Sequence, residues 1–160
     1  MQKYCLVHLI EKLQDGVQFT ATNYWPLHIT VVSNFSIDIG KQQLIDMLDK
    51  ELSLQKSFIV TAGDDAYFGK DKNIHVTLMS ANSSLQQLHE ILVRLLSNHA
   101  AIFDEPGYNN EGYKAHATIQ QQHRLKLHDN VSINNLSLVD MFPDSDITQR
   151  KILRTFPFTP

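Results

Sequence analysis

Residues 27–35 read LHITVVSNF, a run that is rich in β-branched and aromatic side chains. Such side chains favour a β-strand, because they pack well on a pleated surface. After the turn at Gly40, Leu44, Leu48 and Leu52 recur every four residues. This spacing gives one apolar face, so residues 41–54 are predicted to form an amphipathic helix. The segment therefore predicts a strand that is followed by a helix.

The same order returns later in the chain. Residues 74–79 read IHVTLM and predict a strand, and leucines at helical spacing follow from Leu85 to a predicted end near Asn98. Ser83 or Ser84 is expected to cap this second helix. A loop is predicted over 103–112, and the remaining strands are predicted at 4–10, 58–61, 114–121, 131–142 and 151–158. Seven or eight strands with two helices indicate an α+β fold in one domain over residues 1–160.

The composition narrows the possible partners. The net charge is −3 and the sequence contains no block of lysines and arginines, so avid binding of long nucleic acid is not expected. A small phosphorylated ligand or an RNA end needs only a few local donors. No apolar run is long enough for a membrane span. Cys5 is the single cysteine, so no internal disulfide can form, and a cytoplasmic location is the expected one.

One triplet, His-x-Thr, occurs three times, as His28-Ile29-Thr30, His75-Val76-Thr77 and His116-Ala117-Thr118. With 8 histidines and 9 threonines in 160 residues, random placement predicts only about 0.45 such triplets. Each triplet lies in a predicted strand, where residues two apart point to the same face. Each therefore presents an imidazole and a hydroxyl together, while its apolar middle residue packs on the other face.

This pairing suits phosphate chemistry without a metal. Histidine titrates near neutrality, so one imidazole can accept a proton while a second, protonated imidazole donates one. Threonine hydroxyls can donate hydrogen bonds to the non-bridging phosphate oxygens. Two triplets that face each other would place an acid and a base on opposite sides of phosphorus. The spacing alone does not decide which two of the three triplets form the pair.

The stretches WPLHITVV at 25–32 and YKAHATI at 113–119 resemble the two motifs of the 2H phosphoesterase superfamily, which includes 2′-5′ RNA ligase-like proteins and RNA 2′,3′-cyclic phosphodiesterases. The resemblance extends through the element order of nearly the whole chain. It implies a bilobed, pseudo-symmetric α+β fold in which two mainly antiparallel sheets flank a central cleft and the helices lie outside. It also implies that His28, Thr30, His116 and Thr118 are catalytic, whereas the His75 strand is structural.

Residues beside the motifs are candidates for substrate binding. Trp25 and Tyr113 each precede a motif histidine by three residues, and Lys114 lies two residues before His116, on the same face of a regular strand. Other nearby aromatic residues and Arg124 are weaker candidates, since aromatic residues more often pack than bind. The aromatic residues are Tyr24, Tyr67, Phe68 and Tyr108. Eight histidines raise the alternative of zinc, but none shows the spacing of a helical zinc motif.

The sequence thus predicts a monomeric, metal-independent enzyme that needs no cofactor. Its substrate would be a nucleotide or RNA terminus, most simply a 2′,3′-cyclic phosphate. The same fold could instead serve as a non-catalytic module that binds a nucleotide or RNA end. This alternative stays open because the motif flanks depart from the family pattern: Ser33-Asn34-Phe35-Ser36 replaces a Phe-Leu-Gly-type ending, and Ala115 stands where a proline is common.

Overall fold

A computed structural model of the protein describes residues 2–21 and 25–160. Within them, ten strands and two α-helices follow one another along the chain. The strands are β1 (Lys3–Leu9), β2 (Gln18–Thr20), β3 (His28–Ser36), β4 (Phe58–Phe68), β5 (Ile74–Met79), β6 (Ile102–Phe103), β7 (His116–Thr118), β8 (Asn130–Ile133), β9 (Asn135–Asp140) and β10 (Gln149–Pro157). The helices are α1 (Lys41–Leu52) and α2 (Ser83–Ser97).

The strands form two antiparallel sheets. The larger sheet has the order β2-β10-β9-β1-β3-β6, and the smaller has the order β7-β5-β4-β8. The two sheets approach each other where β3 lies beside β7. The two strands that contain the first and third His-x-Thr triplets therefore lie side by side, one in each sheet.

The strand β1 is central and buried on both faces. Its Leu6 belongs to the main core, which the two helices and one face of each sheet enclose. Its Val7 belongs to a second apolar cluster on the other face of the large sheet, where Trp25 and Phe19 are among the residues that cover it. A strand buried on both sides needs a continuous apolar run, and residues 4–10 supply one that only His8 interrupts.

The expected α+β architecture is confirmed, with two helices and mainly antiparallel sheets. Several boundaries differ. The segment predicted as one strand over 131–142 is two strands, because the chain leaves the small sheet after Ile133 and enters the large sheet at Asn135. The strand from Phe58 continues to Phe68, the third triplet forms a strand of only three residues, and the short edge strands β2 and β6 were not predicted. In the described part of the chain, no helix is both long and apolar enough to cross a membrane.

The capping residue of α2 also differs from the prediction, which named Ser83 or Ser84. The capping residue is Asn82, whose side-chain oxygen accepts a hydrogen bond from the Leu85 N–H at 3.0 Å. The same side chain donates to the Ile59 carbonyl at 2.9 Å, so the cap also ties the helix to β4. Ser83 and Ser84 are the first two residues of the helix and are exposed.

We predict that Asn82→Ala lowers the free energy of unfolding by about 1 kcal/mol, the usual cost of losing a capping side chain. Ser83→Ala and Ser84→Ala serve as controls and should change it by less than half as much. Urea unfolding followed by circular dichroism measures all three. A serine substitution that costs more than Asn82→Ala would show that the cap has been misassigned.

Candidate active site

The first triplet lies at the start of β3, on the face away from the helices. The β1–β3 register pairs Leu9 with His28 and Val7 with Thr30, so these two triplet residues share the face of the second apolar cluster. The middle residue, Ile29, is fully buried in the main core. His28 and Thr30 are half-buried. The strand therefore holds the imidazole and the hydroxyl together, as alternation in a β-strand requires.

The triplet at His116 is arranged in the same way in the small sheet. The β5–β7 register pairs Leu78 with His116 and Val76 with Thr118. Ala117 points to the opposite face and is buried in the main core. His116 and His28 are close enough that the charge of His116 lowers the pKa of His28. The structure thus brings the two triplets together across the junction of the sheets.

Each of these two histidines makes the same hydrogen bond. The Nδ1 atom of His28 lies 2.7 Å from the Pro26 carbonyl oxygen, and that of His116 lies 2.8 Å from the Lys114 carbonyl oxygen. Because a carbonyl only accepts, each Nδ1 must carry the hydrogen. The Nε2 atom of each neutral ring is then a free base. Both rings are held by the carbonyl two residues earlier, so the two half-sites are equivalent.

Burial sets the charge state of the pair. Desolvation lowers the pKa of His28 below its usual value, and the neighbouring His116 lowers it further, while the Pro26 carbonyl opposes both effects. Desolvation also lowers the pKa of His116, opposed by the Lys114 carbonyl. Both imidazoles are therefore neutral near pH 7. An anion placed between them would favour protonation of one, since an opposite charge stabilises the imidazolium.

An aromatic ring packs on each of the two imidazoles. The Trp25 ring lies 4.8 Å from the His28 ring, and the Phe68 ring lies edge-on to His116 at 4.6 Å. Phe19 meets Trp25 in a T-shaped contact at 5.1 Å, and the Arg150 guanidinium lies 5.9 Å from the Trp25 ring. The sequence predicts Trp25 as a substrate-binding residue, whereas Phe68 is only a weaker candidate by its position in the sequence. The longer β4 brings it to the cleft face, opposite Ile74.

The other two sequence candidates have different surroundings. Tyr113 donates its hydroxyl to the Thr30 carbonyl at 2.7 Å and stacks on His89 at 4.0 Å. Burial raises the pKa of this hydroxyl. Through these contacts, Tyr113 connects the loop before β7 to β3 and α2. Lys114 contributes its carbonyl to His116, and its side chain is exposed.

The His75 triplet lies on the opposite face of the small sheet. Since Val76 pairs with Thr118, the flanking residues His75 and Thr77 point away from the cleft. There His75 Nε2 lies 3.1 Å from an Asp65 carboxylate oxygen, and the ring stacks on Tyr67. Arg124 donates to the other oxygen of the same carboxylate at 2.6 Å and to the buried Thr77 hydroxyl at 3.4 Å. Two of the weaker candidates, Tyr67 and Arg124, thus contact His75 or its partner Asp65 on this face.

One further candidate and two other histidines do not belong to the His28–His116 pair. Tyr24 lies outside the described residues. His8 is buried and pairs its Nδ1 with the Asn135 carbonyl at 3.0 Å, on the helix side of the large sheet. His123 lies 3.2 Å from Glu11, whose carboxylate also accepts the Leu27 N–H beside the first triplet. Among residues 2–21 and 25–160, no three His, Cys, Asp or Glu side chains cluster closely enough to share a metal ion.

Comparison with known proteins adds a family. A model of the 2′-5′ RNA ligase superfamily matches residues 6–132. E. coli LigT complexed with NADP+ superimposes with a TM-score of 0.62 at 12% identity, over 99% of this chain and 98% of that one. The protein TT0787 of Thermus thermophilus gives 0.59 at 14% identity, over 99% and 98%. E. coli LigT complexed with 3′-AMP gives 0.57 at 12% identity, over 99% of both chains. Among curated proteins, no sequence matches.

The buried histidines make stability depend on pH. The pKa is lowered by burial for His8, His28, His89 and His116. Below the unfolded value of about 6.5, the unfolded chain therefore binds more protons than the folded one. The contribution of these groups to stability is complete above that pH and is lost as the pH falls towards the folded values.

We predict that the free energy of unfolding decreases between about pH 7 and pH 5, and that His28→Asn makes this decrease shallower. Each such histidine can contribute a slope of at most about 1.4 kcal/mol per pH unit. Urea unfolding at several pH values measures both proteins, and the difference in slope isolates His28. An unchanged or steeper slope in the variant would contradict the direction of its pKa.

Proposed function

The chain belongs to the 2′-5′ RNA ligase superfamily, and we propose that it is a metal-independent phosphoesterase that opens a 2′,3′-cyclic phosphate on a nucleotide or an RNA end. One observation carries the proposal. His28 and His116 lie close together, with each Nδ1 held by a backbone carbonyl and each Nε2 left to act on a substrate. Two equivalent imidazoles on either side of a phosphorus atom can share the work of base and acid.

The proposed step is hydrolysis. The Nε2 atom of one neutral histidine accepts a proton from water as the water oxygen bonds to phosphorus. The other histidine, protonated, gives its Nε2 proton to the ribose oxygen as the P–O bond breaks. The hydroxyls of Thr30 and Thr118 donate to the non-bridging oxygens, where negative charge increases in the transition state. Which imidazole acts as acid depends on which ribose oxygen faces it.

Surrounding residues favour a nucleotide as the substrate. Trp25 packs beside His28 and offers an aromatic surface on which a base can stack. Lys114 is exposed near His116 and can attract a phosphate by its positive charge. Tyr113, the third residue proposed for substrate binding, acts through the Thr30 carbonyl that it holds. Solved structures of E. coli LigT with NADP+, 3′-AMP and ATP support a nucleotide for this cleft too.

We predict that His28→Ala and His116→Ala each reduce kcat/KM for nucleoside 2′,3′-cyclic phosphates by at least about 100-fold, the usual contribution of a general acid or base. His75→Ala is the matched control. It also removes a histidine from a His-x-Thr triplet, but this triplet lies on the other face of the small sheet. It should retain activity near that of the wild type. Chromatographic separation of the nucleotide products measures turnover, with a chelator present throughout.

Three outcomes would redirect the proposal. Loss of activity on chelation would favour a zinc-dependent hydrolase. Tight nucleotide binding without turnover would favour a non-catalytic module on the same fold. Loss of activity in His75→Ala but not in His116→Ala would mean that a different pair of triplets is catalytic.

We also predict a bell-shaped dependence of kcat/KM on pH, with its maximum on the acidic side of about pH 6.5. The reason is that both free-enzyme pKa values, those of His28 and His116, are lowered from that value. Initial rates at low substrate concentration, measured in buffers of constant ionic strength, give the profile. A maximum above pH 7, or a flat profile, would contradict two-histidine catalysis at these lowered pKa values.

A further inference from the structure

His89 is a buried histidine that the reaction does not use. It lies in α2, and its side chain is only 1% exposed. Its Nδ1 lies 2.6 Å from the Val31 carbonyl, which can only accept, so the hydrogen is on Nδ1. Its Nε2 accepts the Asn110 N–H at 2.9 Å. Both ring nitrogens are therefore satisfied by backbone groups, and the ring is neutral.

These two bonds join separate parts of the site. Val31 lies in β3, directly after Thr30 of the first triplet. Asn110 lies in the loop that leads through Tyr113 to the His116 triplet. The imidazole of His89 therefore lies between the strand of one triplet and the approach to the other.

The aromatic stack adds a third connection. The Tyr113 ring lies almost parallel to the His89 ring, at 4.0 Å and 6°. From that position its hydroxyl reaches the Thr30 carbonyl at 2.7 Å. The two rings thus hold two successive carbonyls of β3, those of Thr30 and Val31. Any shift of the His89 ring would move the tyrosine that contacts the first triplet.

The loop between β6 and β7 is compact and is fixed to α2, so a contact at Asn110 also affects the position of Tyr113. Gln86, one turn before His89, donates to the Asn110 carbonyl at 2.7 Å, so α2 holds both backbone groups of Asn110. A Cβ on Gly112 would overlap the Gly107 carbonyl oxygen, which shows how tightly the loop folds on itself. Only two residues separate Tyr113 from His116, and the carbonyl of one of them, Ala115, accepts a hydrogen bond from the Met79 N–H at 2.9 Å.

We propose that His89 is a positioning residue that sets the alignment of the two catalytic triplets. This role of His89 rests on the proposed function, since alignment matters only if His28 and His116 act on one phosphate. A neutral imidazole is suited to this position because it donates through one nitrogen and accepts through the other. Protonation, or a side chain with only one of these capacities, breaks one of the two connections.

The test compares four variants at a temperature where all are folded. His89→Phe keeps a stacking ring and loses both hydrogen bonds. His89→Gln can reach Asn110 with a side-chain acceptor. His99→Gln is the matched control, because His99 lies just after α2 and its exposed side chain bonds to the Leu95 carbonyl at 3.0 Å, within its own segment. Leu96→Ala removes a fully buried core side chain from α2 and controls for lost stability alone.

We expect His89→Phe to lower kcat about 10- to 100-fold while KM changes less than about threefold, because misalignment of reacting groups costs rate more than binding. His89→Gln should recover part of the loss. His99→Gln and Leu96→Ala should keep wild-type kcat. Full kcat in His89→Phe, or an equal loss in Leu96→Ala, would overturn the proposal.

A second measurement does not depend on turnover. The imidazole signals of His28 and His116 in NMR spectra should shift in His89→Phe and stay in place in Leu96→Ala. If the wild type hydrolyses no phosphodiester, the proposed function fails, and these signals still decide whether His89 positions the triplets. Unchanged signals of both histidines in His89→Phe would reject that role.

Discussion

The pairing of β5 with β7 places Val76 opposite Thr118 and Leu78 opposite His116. The β1–β3 pairing likewise fixes the face of His28 and Thr30. A slip of one residue in either register would turn a triplet to the opposite face and leave the cleft with one imidazole. The apolar middle residues oppose such a slip, because Ile29 and Ala117 would leave the core and a histidine would enter it. Core packing therefore determines the geometry of the site.

The β5–β7 register also determines which face the His75 triplet occupies. His75 and His116 lie in neighbouring strands and in identical motifs, yet they point to opposite faces of one sheet. In the sequence nothing separates them, since alternation within a strand says which residues share a face and not which face it is. The choice between them came from family resemblance. Only the register, a long-range property, places His75 against Asp65 instead of in the cleft.

Sequence patterns predicted elements where a long periodic signal existed. The leucines of α1 and α2 and the β-branched run of β3 are of this kind, and they gave the fold class. The patterns failed where tertiary contacts decide: the break at Asn134, where the chain changes sheets, and the cap at Asn82, which also contacts β4. They left Phe68 among the weaker candidates, because it reaches His116 only through the extended β4–β5 hairpin. No local sequence pattern indicates the role of His89, since its hydrogen-bond partners lie 58 and 21 residues away in the chain.

The partner of each imidazole also matters for its chemistry. A carboxylate beside a histidine raises the pKa of the ring and favours its charged form. A carbonyl orients the ring and fixes the hydrogen on Nδ1 while leaving both charge states within reach. Pro26 and Lys114 provide carbonyls of this kind, and burial shifts the balance towards the neutral form. Two neutral imidazoles can then acquire one proton together with an anionic substrate. Desolvation thus couples substrate charge to the protonation that the proposed reaction requires.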